Sequence, residues 1–265
     1  MIFVRSLTFN VLFYLVTFIE MIILTPFYFI GERKSKWWVP RLWSRVNMWM
    51  LRHIVGVKFV IEGTENIPDS GYILAPKHQS SMDTFCFIPW FNDPVMILKR
   101  VLMKIPLFGW YLARMEMIPI DRGNREDAIR KVNAGAREAI ASGRELLIYP
   151  EGTRRAPGAE PAYKTGIAHL YAAMDAPVVI IAHNAGLFWP KNKFMRYPGT
   201  FKARFLPPIE PGLEKRAFMK ELVSRTENAV DELLFEAAEA PDCPPLQDVT
   251  RKRVEELREA KGSEN

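Results

Sequence analysis

Cysteine is nearly missing from this chain: its 265 residues hold two, Cys86 and Cys243. They are too few and too far apart for a disulfide framework or for the paired-thiolate spacing of a zinc site. A disulfide-stapled secreted scaffold is thereby excluded, and a reducing compartment is the simple inference. The four histidines, His53, His78, His169 and His183, show no ligand spacing with cysteines or acids, so no metal site is expected. No Gly-x-Ser-x-Gly elbow occurs, which removes the usual setting of a serine nucleophile in an α/β hydrolase. Internal repeats and low-complexity tracts are also lacking, and 49% hydrophobic residues are ample for a core. The length suits one domain of ordinary size with an appended segment.

What is present in excess is basic charge. A formal +6 points to an anionic partner: nucleic acid, a membrane surface or an acidic carrier. Residues 7–30 carry no basic residue and a single acid, Glu20; as a helix they would reach about 36 Å, enough for a hydrocarbon core of about 30 Å. Asn10, Glu20 and Pro26 favour a bent, half-inserted hairpin as the alternative to a span. The stretch is too long for a signal peptide and has no small-x-small cleavage site after it. Residues 31–52 then hold Arg33, Lys34, Lys36, Arg41, Arg45 and Arg52 against Glu32, which by the positive-inside rule keeps this flank cytoplasmic. Leu42, Trp43, Val46, Trp49, Met50 and Ile54 recur at helical spacing, with Arg41, Arg45 and Arg52 on another side. Such a helix suits the bilayer interface; packing on the protein's own core is the other use of the same pattern.

After Gly56 short apolar runs alternate with helical stretches. Strands are expected at 58–61, 72–75, 95–98, 117–120, 145–149, 178–182 and 201–205, and helices at 82–91, 107–114, 125–142, 166–174 and 214–239. That alternation predicts an α/β domain with a largely parallel sheet, whose active site should lie in loops at the carboxyl ends of strands. Three segments follow: membrane-anchoring and interfacial helices over 1–55, a catalytic domain over 56–240, and a charged tail over 241–265 that forms at most a short surface helix.

The stretch "KHQSSMDTF", Lys77 to Phe85, follows one of the expected strands. Ser80 and Asp83 read as a capping box at a helix start. Residues five apart on a continuous helix point about 140° away from each other, so His78 and Asp83 meet only if His78 lies in the loop before the helix. In that geometry the carboxylate fixes the imidazole tautomer and the other ring nitrogen takes a proton from an attacking hydroxyl. Two further strand ends carry arginine, "IPIDRGNRED" with Asp121 and Arg122, and "IYPEGTRRAPG" with Glu151, Gly152, Thr153, Arg154 and Arg155. A guanidinium there can grip a phosphate with two hydrogen bonds, or pair with its neighbouring acid in a solvated turn.

Taken in order, these blocks resemble the glycerolipid acyltransferases typified by 1-acyl-glycerol-3-phosphate acyltransferase. The His-x-x-x-x-Asp box is His78 to Asp83, the Asp-Arg strand end is "IDRGN", the Pro-Glu-Gly-Thr-Arg box is Pro150 to Arg154, and the later apolar strand is "APVVIIAHNAGLFWP". The resemblance covers roughly residues 56–210 and implies a largely parallel or mixed sheet flanked by helices, behind an N-terminal membrane-associating helical segment. It implies acyl transfer from an acyl carrier protein or coenzyme A thioester to a lysophospholipid hydroxyl, with 1-acyl-glycerol-3-phosphate as the leading acceptor and phosphatidic acid as product. His78 would be the base and Asp83 its partner; Arg122, Glu151, Gly152, Thr153 and Arg154 would help hold the headgroup. Lys99 and Lys104, in "LKRVLMKIPLFGWYL", are further phosphate or carrier contacts, and Lys164 and Asn184 are weaker ones. Lys77 stands where many members have asparagine, and His183 by itself reads as structural. No cofactor beyond the thioester substrate is implied, and the expected setting is a bacterial-type inner membrane with the catalytic domain on its cytoplasmic side.

Three other readings stay open. One has another lysophospholipid or glycerol 3-phosphate as the acceptor in place of lysophosphatidate. The second has Ser80 or Ser81 as a hydrolase nucleophile, and the third a fold that binds lipid without catalysis. Nucleic-acid binding fits poorly, because the arginines sit in isolated strand-end loops.

Overall fold

The computed structural model describes residues 1–120 and 125–262. Seven strands form one sheet in the order β1-β7-β6-β2-β5-β3-β4: β1 Val57–Glu62, β2 Ile73–Pro76, β3 Val95–Lys99, β4 Ile118–Ile120, β5 Leu146–Leu147, β6 Val178–His183 and β7 Gly199–Phe205. The five strands from β6 to β4 are mutually parallel, β7 is antiparallel to β6, and β1 is parallel to β7. The sheet is therefore mixed with a parallel centre. In β6 every residue from Val178 to His183 is buried, as a strand covered on both faces requires.

The helices are α1 Ile2–Phe29, α2 Trp38–Met50, α3 Phe108–Arg114, α4 Arg125–Ala141, α5 Gly166–Met174, α6 Ala185–Phe188, α7 Lys215–Glu239 and α8 Asp248–Gly262. Alternation along β2 divides the two layers. Tyr72 and Leu74 join Phe9, Tyr28, Trp37 and Met50 from α1 and α2 in one apolar cluster. Ile73 and Ala75 face the other way, toward Ile167, Leu170, Phe218 and Leu222 from α5 and α7.

α1 is attached to the sheet layer along most of its length. Arg5 Nε donates to the Ile54 carbonyl at 2.7 Å, Asn10 Nδ2 to the Phe194 carbonyl at 3.0 Å and Trp43 Nε1 to Thr17 Oγ1 at 2.9 Å. Near its end Tyr28 stacks on Tyr111 with ring centroids 4.0 Å apart. Its opposite face, with Val4, Val11, Tyr14, Phe18, Ile22 and Phe27, is exposed. In α2, Val39, Ser44, Asn47 and Met50 are buried, while Trp38, Leu42 and Trp49 lie outward; the apolar stripe read from the sequence is therefore split between core and surface.

Three local expectations are corrected. The helix expected over 82–91 is replaced by two 3₁₀ turns, Met82–Thr84 and Ile88–Trp90, because Pro89 sits in the first turn of the second and the Asp83 carboxylate is drawn back onto the preceding loop. The strand expected over 145–149 keeps only two ladder residues, since Pro150 and the turn at Gly152 (φ 65°) lead the chain away. The C-terminal segment does form a helix, α8, but with Thr250 and Val254 fully buried rather than wholly on the surface.

Candidate active site

The carboxyl ends of β2 and β5 lie side by side, and they deliver His78 and Glu151 to the same loop cluster. Lys77 N–H donates to the Ile181 carbonyl at 3.0 Å, extending the β2–β6 pairing by one residue. The chain then leaves the sheet, and His78 folds back so that its Nδ1 stands 3.1 Å from Asp83 Oδ1. The other carboxylate oxygen, Oδ2, accepts the Gln79 and Ser80 amides, each at 2.7 Å. Three donors thus converge on one buried carboxylate, and that is how His78 reaches Asp83 despite the five-residue spacing. The Ser80 hydroxyl accepts the Met82 amide at 3.1 Å and donates to the Trp189 carbonyl at 2.8 Å, so it serves the turn.

The imidazole is held from its face as well. The Tyr149 ring stacks on it, centroids 4.0 Å apart and planes 28° from parallel, and the Tyr149 hydroxyl donates to the Asp83 carbonyl at 3.0 Å. Burial first, and the Asp83 charge second, push that phenol well above its ordinary pKa, so it stays a neutral donor. With Nδ1 engaged, Nε2 has no protein partner among the described residues, and 15% of the side chain reaches solvent. The arrangement can abstract a proton at Nε2 and stabilise the resulting imidazolium through Asp83.

Behind the dyad lies His183, wholly buried. Its Nε2 is 2.6 Å from the Lys77 carbonyl and its Nδ1 accepts the Ala185 amide at 3.3 Å, which assigns the proton to Nε2. Burial holds its pKa below the ordinary value, against the opposing pull of Asp83 Oδ2 at 3.8 Å.

The other sequence candidates fall into distinct places. Glu151 is 1% exposed: its Oε2 accepts the His78 amide at 3.3 Å and its Oε1 lies 3.1 Å from Lys77 Nζ, so it faces the interior rather than an open headgroup pocket. Burial pushes its carboxyl up, with Lys77 pulling the other way. Gly152 makes the turn that brings Arg154 round; Thr153 is exposed. Arg154 Nη1 donates to Ser81 Oγ at 2.6 Å and its carbonyl accepts Lys191 Nζ at 2.9 Å, while the Arg155 amide donates to the His78 carbonyl at 2.8 Å. The arginine loop and the histidine loop are therefore directly bonded. Lys99, at the carboxyl end of β3, and Lys104, in the 3₁₀ turn after it, are exposed. Lys164 is exposed beyond the loop, its amide bonded to the Pro150 carbonyl. Asn184 is buried and spends its side chain on β7, accepting the Lys202 amide and donating to the Thr200 carbonyl. Arg122 lies outside the described residues.

Tyr149 went unread in the sequence, although it immediately precedes the Pro-Glu-Gly-Thr-Arg box. An aromatic at the last position of the strand expected over 145–149 was the available signal. Lys191, 37 residues from its partner, had none.

A family model described as Acyltransferase matches residues 58–184. The chain is 35% identical to a 1-acyl-sn-glycerol-3-phosphate acyltransferase of Pseudomonas aeruginosa, over 75% of this chain and 77% of that protein. It is 30% identical to one of Cocos nucifera, over 72% of this chain and 60% of the other. The crystal structure of the lysophosphatidate acyltransferase PlsC from Thermotoga maritima superposes with a TM-score of 0.73 at 22% identity, covering 88% of this chain and 98% of that one, a likeness of fold.

Proposed function

The chain belongs to the 1-acyl-sn-glycerol-3-phosphate acyltransferase family, and from that premise we propose that it moves a fatty acyl group from a thioester to the free hydroxyl of 1-acyl-glycerol-3-phosphate, giving phosphatidic acid. The observation that carries the reading is His78 Nδ1 bonded to Asp83 with Nε2 left open. An alcohol is scarcely ionised at neutral pH, so base assistance contributes about 10²- to 10⁴-fold. His78 Nε2 takes the hydroxyl proton as the oxygen attacks the thioester carbonyl. The tetrahedral intermediate expels the thiolate, which receives the proton from the imidazolium. No covalent acyl-enzyme is needed.

Arg154, tied to the histidine loop through Ser81, is the described residue best placed to meet the acceptor phosphate; Lys99 ends β3 and Lys104 follows it, at the same carboxyl edge of the sheet, and Arg122 is a further candidate from its sequence motif alone. The donor is an acyl carrier protein or coenzyme A thioester, and the basic surface suits either. The protein associates with a membrane. α1 is about 42 Å long by helical rise, and both of its ends are bonded to the domain that carries the sheet. That attachment favours α1 lying in one leaflet with its exposed apolar face in lipid, the catalytic loops at the cytoplasmic surface. The test is acyl transfer by detergent-purified protein from a labelled thioester to lysophosphatidate, glycerol 3-phosphate and lysophosphatidylcholine. Lysophosphatidate should give the highest kcat/KM; preference for an acceptor without a phosphomonoester would contradict the assignment.

A further inference from the structure

We propose that Lys77, Glu227 and Tyr163 form a positioning brace that holds the His78 loop from the opposite face of the sheet and thereby sets the rate of acyl transfer; the inference rests on His78 being the base. Ile73 and Ala75 face the layer of α5 and α7, and Lys77 continues that alternation. Its side chain, 3% exposed, runs into that layer. There its Nζ lies 2.6 Å from Glu227 Oε1 on α7 and 3.1 Å from Glu151 Oε1. The Tyr163 hydroxyl donates to the same Glu227 oxygen at 2.6 Å, and the Tyr163 ring underlies the ammonium at 5.2 Å.

Every polar group of Lys77 is thus committed. Its amide bonds Ile181, its carbonyl takes the His183 proton, and its ammonium is shared between two carboxylates. The next residue is His78, and Glu151 joins the two: one carboxylate oxygen faces the ammonium while the other accepts the His78 amide. A carboxylate held charged is a stronger acceptor than a neutral acid. Loss of the ammonium therefore weakens the hold on the backbone of the base, and Glu227 acts by aim rather than charge, fixing where the Lys77 ammonium sits against Glu151. Displacement of a reacting group by about 1 Å can cost about 10²-fold in rate. Glu227 is 150 residues from Lys77 in sequence and stands on α7, beyond the segment that the family model matches.

The experiment measures kcat and acceptor KM for Glu227→Gln and Tyr163→Phe, each alone and combined with His78→Ala, on full-length folded protein with lysophosphatidate as acceptor. The brace predicts that Glu227→Gln lowers kcat about tenfold or more with KM changed less than about twofold, and that neither change lowers the residual rate further once His78 is alanine. Where Glu227→Gln does not fold, Tyr163→Phe, which keeps the ring beneath Lys77, decides with a smaller drop in the same direction. Unchanged kcat, or an equal loss in both backgrounds, would assign the cluster to stability alone and overturn the brace. Full activity in His78→Ala would instead remove the base itself, and the brace with it.

Discussion

At the scale of single residues, the site is built from protonation states fixed by burial. His183 is the clearest: a folded-state pKa below the ordinary 6.5 means that the unfolded chain binds the proton more readily. Stability from this group is present above about pH 6.5 and falls as pH drops toward the folded value. His183→Gln keeps a donor for the Lys77 carbonyl but removes the titration. Urea midpoints followed from pH 7.5 to 5 should fall less steeply in that variant than in the wild type; parallel curves would mean that His183 binds its proton equally well folded and unfolded, against the lowered folded value. The His-Asp pair was legible in the sequence because its spacing is local. The role of Glu151 was not. Read beside Arg154 it belongs with the headgroup, yet it points inward because its counter-ion, Lys77, is buried on the other side of the strand. Such pairing depends on which face a side chain takes and on a helix far along the chain.

Among the elements, α8 has the most specific consequence. The sequence shows its charge but not its partners. Thr250 Oγ1 donates to the Pro157 carbonyl at 2.7 Å, Val254 is buried, and Arg253 makes two bonds to Asp231 on α7, one of them 2.5 Å long. The loop that α8 fastens is the one that carries Arg154. A chain ending at residue 245 should therefore fold, melt a few degrees lower, as a loss of about 1 kcal/mol implies for this size, and show an acceptor KM raised about three- to tenfold with kcat less affected. An unaltered KM would confine α8 to stability. The strands were readable from apolar runs, apart from the length of β5, and α3, α4, α5 and α7 as the stretches between them. The 82–91 segment was not, because local propensity there yields to the three-donor pull on Asp83.

For the whole molecule, the N-terminal helices share one core with the sheet. Phe9 and Tyr28 are fully buried in the cluster that also holds Leu74, Val179 and Ile181. Burying two such side chains contributes about 3 to 6 kcal/mol, a large part of the 5–15 kcal/mol typical of a folded domain. Removing residues 1–30 should therefore give protein without a cooperative melt, whether or not lipid is supplied. A soluble, active 31–265 fragment would show the helices to be a detachable anchor. A largely parallel or mixed sheet was expected, and the sheet is mixed; the strand order, with β7 and β1 reversed against the others, was not foreseen, because the direction of β7 depends on the path of the 184–198 connection rather than on its own apolar pattern.

If His78, oriented by Asp83, takes the proton from the attacking hydroxyl, its loss must show in the chemical step itself. Single-turnover transfer from a labelled acyl thioester to lysophosphatidate, compared between wild-type protein and folded His78→Ala, reads that step. The rate should fall by about 10²- to 10⁴-fold with acceptor binding retained; transfer within a few-fold of wild type would rule His78 out as the base.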